Sequence, residues 1–464
     1  MNRIVGLETE YGCLAEELMG PQAAAARVRN WVFDEHRFGL PDVHQRDWDE
    51  PAGNGGFLYN GGRVYMDMGH LEYCTPECRS LRDLVRYDRV GDRMLGLAVK
   101  ELGLEGRVSF IRNNVDHYSG ATFGCHENYL VRRSAPLNEQ NVLALLAFLT
   151  SRVLYTGAGR IGEAPGSSQA LRQAGLEAAP ALFQLSQRAD YIQNDLFEWV
   201  QFNRAIINTR DEPLADAARY RRLHLLHGDT SVLPETLALK VGTTALVLDL
   251  VEAGAVPAVA LADAVLEYRL LSRQPDGPWI VTTREGESVS AVVLLRQFQQ
   301  ESARLFAGRD AETDWVLARW GAALDALEGN VEALVGRVDW VTKRWLLRQF
   351  VQQENTTWLD PWLKAQDLEF HQTDPERSLC LPLAAEDPML EFSESEMEAS
   401  LRTPPVDTRA RARGEVIQRI RELGVQRYYL DWETLDAEGA NTLQLLDPFE
   451  SSEPEPAGWP RPRE

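Results

Sequence analysis

Two carboxylates, Glu8 and Glu10, stand two residues apart near the start of the chain, in the apolar setting Ile4-Val5-Gly6-Leu7-Glu8-Thr9-Glu10-Tyr11. Extended backbone alternates its side chains, so both acids share one face while Val5, Leu7 and Tyr11 take the other. Carboxylates on one strand face repel unless solvent or a cation offsets them. Mg²⁺, which prefers oxygen ligands, is a natural counter-ion. Taken alone, such a pair is more often a solvated strand face than a metal site. The pattern recurs, however. In residues 62–67, Arg63, Tyr65 and Asp67 share one face, with Val64 and Met66 opposite. Arginine suits phosphate, and an aspartate can bind metal or accept a proton. Glu72 and Glu77 follow, bracketing Thr75, and in residues 125–130 His126 and Asn128 share a face. A lone strand histidine is usually a satisfied core or surface residue. Several strands, each with a polar face, instead suggest an open sheet whose concave face is a charged site.

Other charged stretches do not declare their use. Ile206-Ile-Asn-Thr-Arg-Asp-Glu-Pro213 leads on to Tyr220-Arg-Arg-Leu-His224. Its basic groups can hold phosphate oxygens or form loop salt bridges. Arg409, Arg411 and Arg413 pose the same question, and a basic stripe on a solvated face is the default reading there. Cys74 and Cys78 are four apart, but no second pair has zinc-site spacing.

The elements that must position these groups are short strands in residues 4–11, 62–67, 108–111 and 127–131. A helical pattern covers about 81–102. Residues 35–57, rich in Asp, Gly and Pro, read as an exposed loop. Asn138 is a plausible N-cap for an apolar helix over 138–155, and a second runs about 243–252. From 289 to 370 the pattern is amphipathic helix, whose Trp, Leu and Phe read as core. An acidic stretch, 386–398, precedes Pro404 and Pro405, which places a boundary near residue 400. The domains expected are 1–400 and a small C-terminal one, 401–464, with a disordered tail after Glu450. Strands first and helices later argue for an α+β fold. No phosphate-binding Gly-x-x-x-x-Gly-Lys loop or dinucleotide Gly-x-Gly-x-x-Gly is present, so any ATP must bind by other means.

A length of 464 residues, 44% hydrophobic and 25% charged, is ordinary for a globular protein. A formal charge of −22 argues against nonspecific nucleic-acid or anionic-membrane binding. Five scattered cysteines fit a reducing compartment. Without a signal-peptide core or a run of roughly 20 apolar residues, the expected location is cytoplasmic.

Taken together, these segments resemble the Pup ligase and depupylase family, relatives of glutamine synthetase and other carboxylate–amine ligases. The matching strings are Gly6-Leu-Glu-Thr-Glu-Tyr-Gly12, Asn60-Gly-Gly-Arg-Val-Tyr-Met-Asp67, Glu72-Tyr-Cys-Thr-Pro-Glu-Cys78 and Gly124-Cys-His-Glu-Asn-Tyr-Leu130. Further along come Leu185-Ser-Gln-Arg188, Ile207-Asn-Thr-Arg-Asp-Glu-Pro213, Tyr220-Arg-Arg-Leu-His224, Lys240-Val-Gly-Thr-Thr-Ala-Leu-Val-Leu248 and Thr408-Arg-Ala-Arg-Ala-Arg-Gly-Glu415. They run collinearly through nearly the whole chain. The resemblance implies a glutamine synthetase-like curved antiparallel sheet with packed helices, cradling ATP and Mg²⁺. The chemistry it implies is phosphoryl transfer to the side-chain carboxylate of a glutamate ending a small disordered Pup-like modifier protein. A lysine of a substrate protein then attacks the glutamyl phosphate. By motif, Glu8, Tyr65 and Glu72 fall at metal positions, Arg63 and Thr75 at nucleotide positions, and Asp67 at that of the base. His126 and His224 are implied as metal or phosphate neighbours, and Asn128 and Trp432 as nucleotide contacts.

The same family contains the enzyme that removes the modifier or deamidates its C-terminal glutamine. The short connection between Gly12 and Asn60, which lacks the long depupylase insertion, resembles the ligases. So do Gly124-Cys-His126, the Arg-Ala-Arg-Ala-Arg-Gly-Glu stretch and Asp431-Trp432 followed by Asp447-Pro-Phe449. Asn113-Asn-Val-Asp116, Phe183-Gln-Leu-Ser-Gln-Arg-Ala-Asp-Tyr191, Gln353-Glu-Asn-Thr-Thr-Trp358 and the short spacing from Asp67 to Glu72 look more like the depupylase. Leu214 departs from both, since members usually carry His there. Ligase is the favoured direction. A small-molecule carboxylate–amine ligase stays as an alternative of a different class.

Overall fold

A computed structural model describes residues 1, 3–116, 120–199 and 204–451. The expected disordered tail lies almost wholly outside the described residues. In chain order the strands that matter here are β1 (Val5–Ala15), β2 (Gly39–Pro41), β3 (Gly55–Leu58), β4 (Arg63–Asp67), β5 (His70–Cys74), β6 (Val108–Ile111) and β7 (Cys125–Arg132). They continue with β8 (Arg160–Ile161), β9 (Phe183–Gln184), β10 (Asn194–Phe197), β11 (Ala205–Asn208) and β12 (Tyr220–Leu225). Ten of them form one sheet in the order β10-β11-β12-β7-β1-β5-β4-β3-β2, with β6 also on β1, while β8 and β9 pair separately. Every pairing in the large sheet is antiparallel except β10 with β11. This is the α+β architecture that the sequence pattern implies.

β1 is the hub. Residues 5–9 pair with β7, residues 8–11 with β5, and from Gly12 onward the strand changes partner to β6. Its odd-numbered residues Val5, Leu7 and Tyr11 are buried against a helical layer. The helix Leu81–Glu101, capped by Ser80, crosses that face, and Gly91 lets it approach. A Cβ at Gly91 would stand 2.6 Å from the Tyr11 hydroxyl. Helices Glu139–Ser151, with Asn138 as its N-cap, and Pro234–Ala253 complete this layer. The second begins nine residues before its apolar run, because buried Glu235 and Lys240 break the pattern. Among the described residues no helix is long and apolar enough to cross a membrane.

Two expectations are corrected. Residues 35–57 are not one exposed loop, since β2 and β3 close its two ends and Leu40 and Phe57 are buried. Glycine content suggests a loop, but here it marks close strand packing. A Cβ at Gly39 would meet the Phe57 carbonyl at 2.1 Å, and one at Gly56 the Leu40 carbonyl at 2.1 Å. The arginines 409, 411 and 413 are not a solvated stripe either. Arg409 and Arg413 are buried on Glu77, and Arg411 alone reaches outward, to Glu415. They anchor the helix Ala410–Leu423 and the strands that follow it. Those elements share a second apolar cluster with Leu40, Phe57 and Tyr59. The C-terminal segment is thereby clamped over the β2–β3 edge of the sheet.

Candidate active site

The central strand carries two polar centres, as its period requires. Glu8 accepts a hydrogen bond from Asn128 Nδ2 at 2.9 Å and lies 3.1 Å from His126 Nδ1 and 3.5 Å from His224 Nε2. The register supplies these neighbours, with Glu8 opposite His126, and Asn128 opposite His224 on the next strand over. Burial acts to raise the Glu8 pKa, but the adjoining His224 and His126 imidazoles outweigh it and hold the carboxyl well below its usual range. Burial pushes His224 the other way, down to about 4, against the pull of Glu8. At neutral pH Glu8 is therefore ionised and His224 neutral. One ligand atom from each of Glu8, His126 and His224 falls within a 4.8 Å cluster.

Two residues along, Glu10 meets Glu72 on β5 and Asp67 at the end of β4, again with donor atoms within 4.8 Å of one another. The β4–β5 hairpin that delivers both acids turns at Met68 and Gly69, both with positive φ. Burial and then the charges of Glu8, Glu10 and Asp67 push the Glu72 pKa well up, although the Tyr65 hydroxyl donates to it at 2.6 Å. Asp67 is raised to about 6 by burial and by Glu10. Three acids this close gain from a divalent cation, and their all-oxygen donor set fits Mg²⁺. Tyr65 itself is a neutral phenol, its pKa pushed well up by burial, and it fixes Glu72.

Beside Glu8 opens a cleft bounded by the first residues of β1, Thr75, Asn128, Leu214, Arg222 and Trp432. Of the four expected nucleotide contacts, Thr75, Asn128 and Trp432 thus come together at one cavity that also touches the metal-type cluster. Thr75 Oγ1 accepts from the Leu7 amide at 3.0 Å. Asn128 bridges Glu8 and Arg222. Trp432 stands edge-on to Phe57 with the Arg413 guanidinium 4.8 Å from its ring. Arg63 lies outside the lining of this cleft. It packs over the Tyr65 ring at 4.3 Å and pairs with Asp42 at 3.1 Å and Glu50 at 2.6 Å.

Sequence reasoning missed Gly124, whose amide donates to Glu10 Oε1 at 2.7 Å. A Cβ there would fall 2.4 Å from His126 Nε2 and 2.7 Å from Glu10 Oε1. A glycine just ahead of a Cys-His strand start was the available signal. The charged run at 220–224 hid β12 in the same way, since its two adjacent arginines mask a strand in which Tyr220, Leu223, His224 and Leu225 are buried.

Clustered carboxylates and imidazoles thus stand on one face of an antiparallel sheet, beside a cleft. The sequence model of the Pup-ligase protein family matches residues 3–436, and the chain belongs to the Pup ligase and depupylase family of ATP-using enzymes. It is 35% identical over 470 residues to a Pup–protein ligase of Micrococcus luteus, covering 97% of this chain and 96% of that one. It is also 35% identical over 493 residues to a Pup deamidase/depupylase of Mycolicibacterium smegmatis, covering 97% and 95%. The crystal structure of Pup in complex with its ligase PafA superimposes with a TM-score of 0.83 at 30% identity, covering 99% of this chain and 90% of that one. That of PafA with ADP gives 0.75 at 32% identity, covering 87% and 88%.

Proposed function

We propose that this protein is an ATP- and Mg²⁺-dependent ligase that joins the side-chain carboxylate of a C-terminal glutamate, on a Pup-like modifier, to lysines of substrate proteins. The observation that carries the chemistry is the juxtaposition of the Glu10–Asp67–Glu72 cradle with the cleft between Thr75, Asn128 and Trp432. In this reading the cleft takes the nucleotide. Glu8, Glu72 and Glu10 hold metal, with His126 and His224 as nitrogen neighbours and Tyr65 fixing Glu72. Bound Mg²⁺ would screen the polyphosphate charge. A carboxylate oxygen of the modifier attacks the γ-phosphorus of ATP and ADP departs, which turns a poor electrophile into an acyl phosphate. The lysine nitrogen then bonds to the acyl carbon and phosphate leaves. Asp67, with a pKa near 6, takes the proton that the lysine ammonium must lose first.

The direction rests on the connection between Gly12 and Asn60, which is too short to hold the long insertion typical of depupylases. Alignment to the depupylase also spans 493 positions against 470 for the ligase, over the same 97% of this chain. The reverse reading draws support from the depupylase-like strings, because Asn114 and Gln187 bond to each other close behind Glu10. Purified protein given ATP, Mg²⁺, a free modifier ending in Glu and a preformed conjugate decides between them. Net conjugate formation with ATP hydrolysis is expected. Cleavage of the conjugate alone would establish the reverse enzyme.

A further inference from the structure

Arg188 is buried, and among the described residues no ion pair involves it. An unpaired buried guanidinium is costly, so its single side-chain hydrogen bond among the described residues carries weight. That bond is made to the carbonyl of Phe123. The same carbonyl accepts from Asn114 Nδ2 at 3.1 Å. The peptide that begins with this carbonyl ends with the Gly124 N–H, which donates to Glu10 Oε1 at 2.7 Å. One planar peptide group therefore stands between a buried cation and a carboxylate of the acid cluster.

We propose that Arg188 is a positioning residue for that cluster: acting through the Phe123–Gly124 peptide, it holds the Glu10 carboxylate in the orientation that faces Asp67 and Glu72. Donation to the carbonyl end of a peptide polarises it and strengthens the bond made by its N–H end. Two donors, one of them charged, act on the Phe123 oxygen. Glu10 is gripped from its backbone as well, since its own amide donates to the Gly124 carbonyl at 3.2 Å. The arrangement needs glycine, because a Cβ at 124 would reach within 2.7 Å of Glu10 Oε1. It also needs a fixed Arg188, and the Arg188 backbone amide is pinned by Ser186 Oγ at 3.0 Å and Asp229 Oδ1 at 3.1 Å. Burial lowers the Arg188 pKa while Glu10 raises it, in keeping with a cation that feels this carboxylate through the peptide. Groups behind a metal site that orient its ligands change metal affinity by about 10–100-fold when removed.

The inference rests on the reading that the acid cluster takes a divalent cation, and is independent of the direction of the reaction. Its test uses the full chain labelled with carbonyl-¹³C phenylalanine and ¹⁵N glycine, which selects the Phe38–Gly39 and Phe123–Gly124 peptides. In Arg188→Met the Gly124 amide proton is expected to move upfield while Gly39 stays in place and reports an intact fold. Mn²⁺ affinity, read by the electron paramagnetic resonance of free ion, is expected to weaken about tenfold. Arg188→Lys, which keeps the charge with a shorter reach, recovers part of both. Should Arg188→Met not fold, the lysine variant carries the test with partial shifts in both readouts. A folded variant with wild-type Gly124 shift, or with wild-type Mn²⁺ affinity, overturns the proposal. Wild-type protein that binds no Mn²⁺ sinks the cation reading, and the role of Arg188 with it, and is told apart because it is seen before any substitution.

Discussion

Glu10 of β1 and Glu72 of β5 are register partners, two acids directly opposed across an antiparallel pair, with Asp67 joining them from β4. Like charges in that position destabilise a sheet, so the pair is kept at the expense of the metal-free fold. Glu72→Gln is expected to raise the melting temperature in EDTA by about 1–3 °C at neutral pH. Mg²⁺ stabilises the wild type and should do so far less in the variant. Calorimetry with and without Mg²⁺ checks both, and a lower melting point in EDTA would contradict the assignment.

Asp67 sits where a base is required, and burial with Glu10 raises it to about 6. A base works when deprotonated, so turnover is expected to fall about tenfold per pH unit below roughly 6, and nearby Mg²⁺ moves that limb lower. Asp67→Asn should cost about 10²–10⁴-fold in turnover and erase the limb while ATP still binds. Turnover across pH, paired with nucleotide titration, reads all three.

The Glu77 ion pairs join the sheet to the C-terminal helix through Arg413 and Arg409. Burial would raise Glu77, but the two guanidinium groups outweigh it and hold it at about 2. Because the folded pKa lies below the unfolded value near 4.5, this stabilisation is complete above that value. It is lost as pH falls from about 4.5 through 2. Arg413→Met leaves the buried Glu77 carboxylate with Arg409 alone and is expected to cost up to about 3 kcal/mol. Urea unfolding of wild type and variant at pH 7 and pH 3 should show the gap narrowing at the lower pH.

Trp432 reaches the cleft only because that helix and its strands are clamped over β2 and β3. Trp432→Ala is expected to weaken ATP binding by up to about tenfold, an aromatic stacking loss of about 0.5–1.5 kcal/mol, with a much smaller change in kcat. Nucleotide titration alongside steady-state rates distinguishes this from a loss of chemistry.

The site was legible in the sequence where one local rule sufficed. Period-two alternation alone puts Glu8 with Glu10, Arg63 with Tyr65, and His126 with Asn128, and the sheet keeps each pair on one face. Asn138 caps its helix as its residue type predicts. What stayed hidden depends on contacts far apart in sequence. That Arg409 and Arg413 are buried follows from Glu77, more than 300 residues earlier. The glycines of β2 and β3 look like loop until the neighbouring backbone is in place. The pairing of Arg63 with Asp42 and Glu50, and the link from Gly124 to Glu10, likewise need the folded sheet.

The central claim is that phosphate is transferred to a glutamate carboxylate before the amide forms. Conjugation run with a modifier whose terminal side-chain carboxylate carries ¹⁸O tests this directly, by mass analysis of the inorganic phosphate released. Transfer of one ¹⁸O atom into phosphate for each conjugate formed is the result predicted. Unlabelled phosphate accompanying conjugate would contradict it.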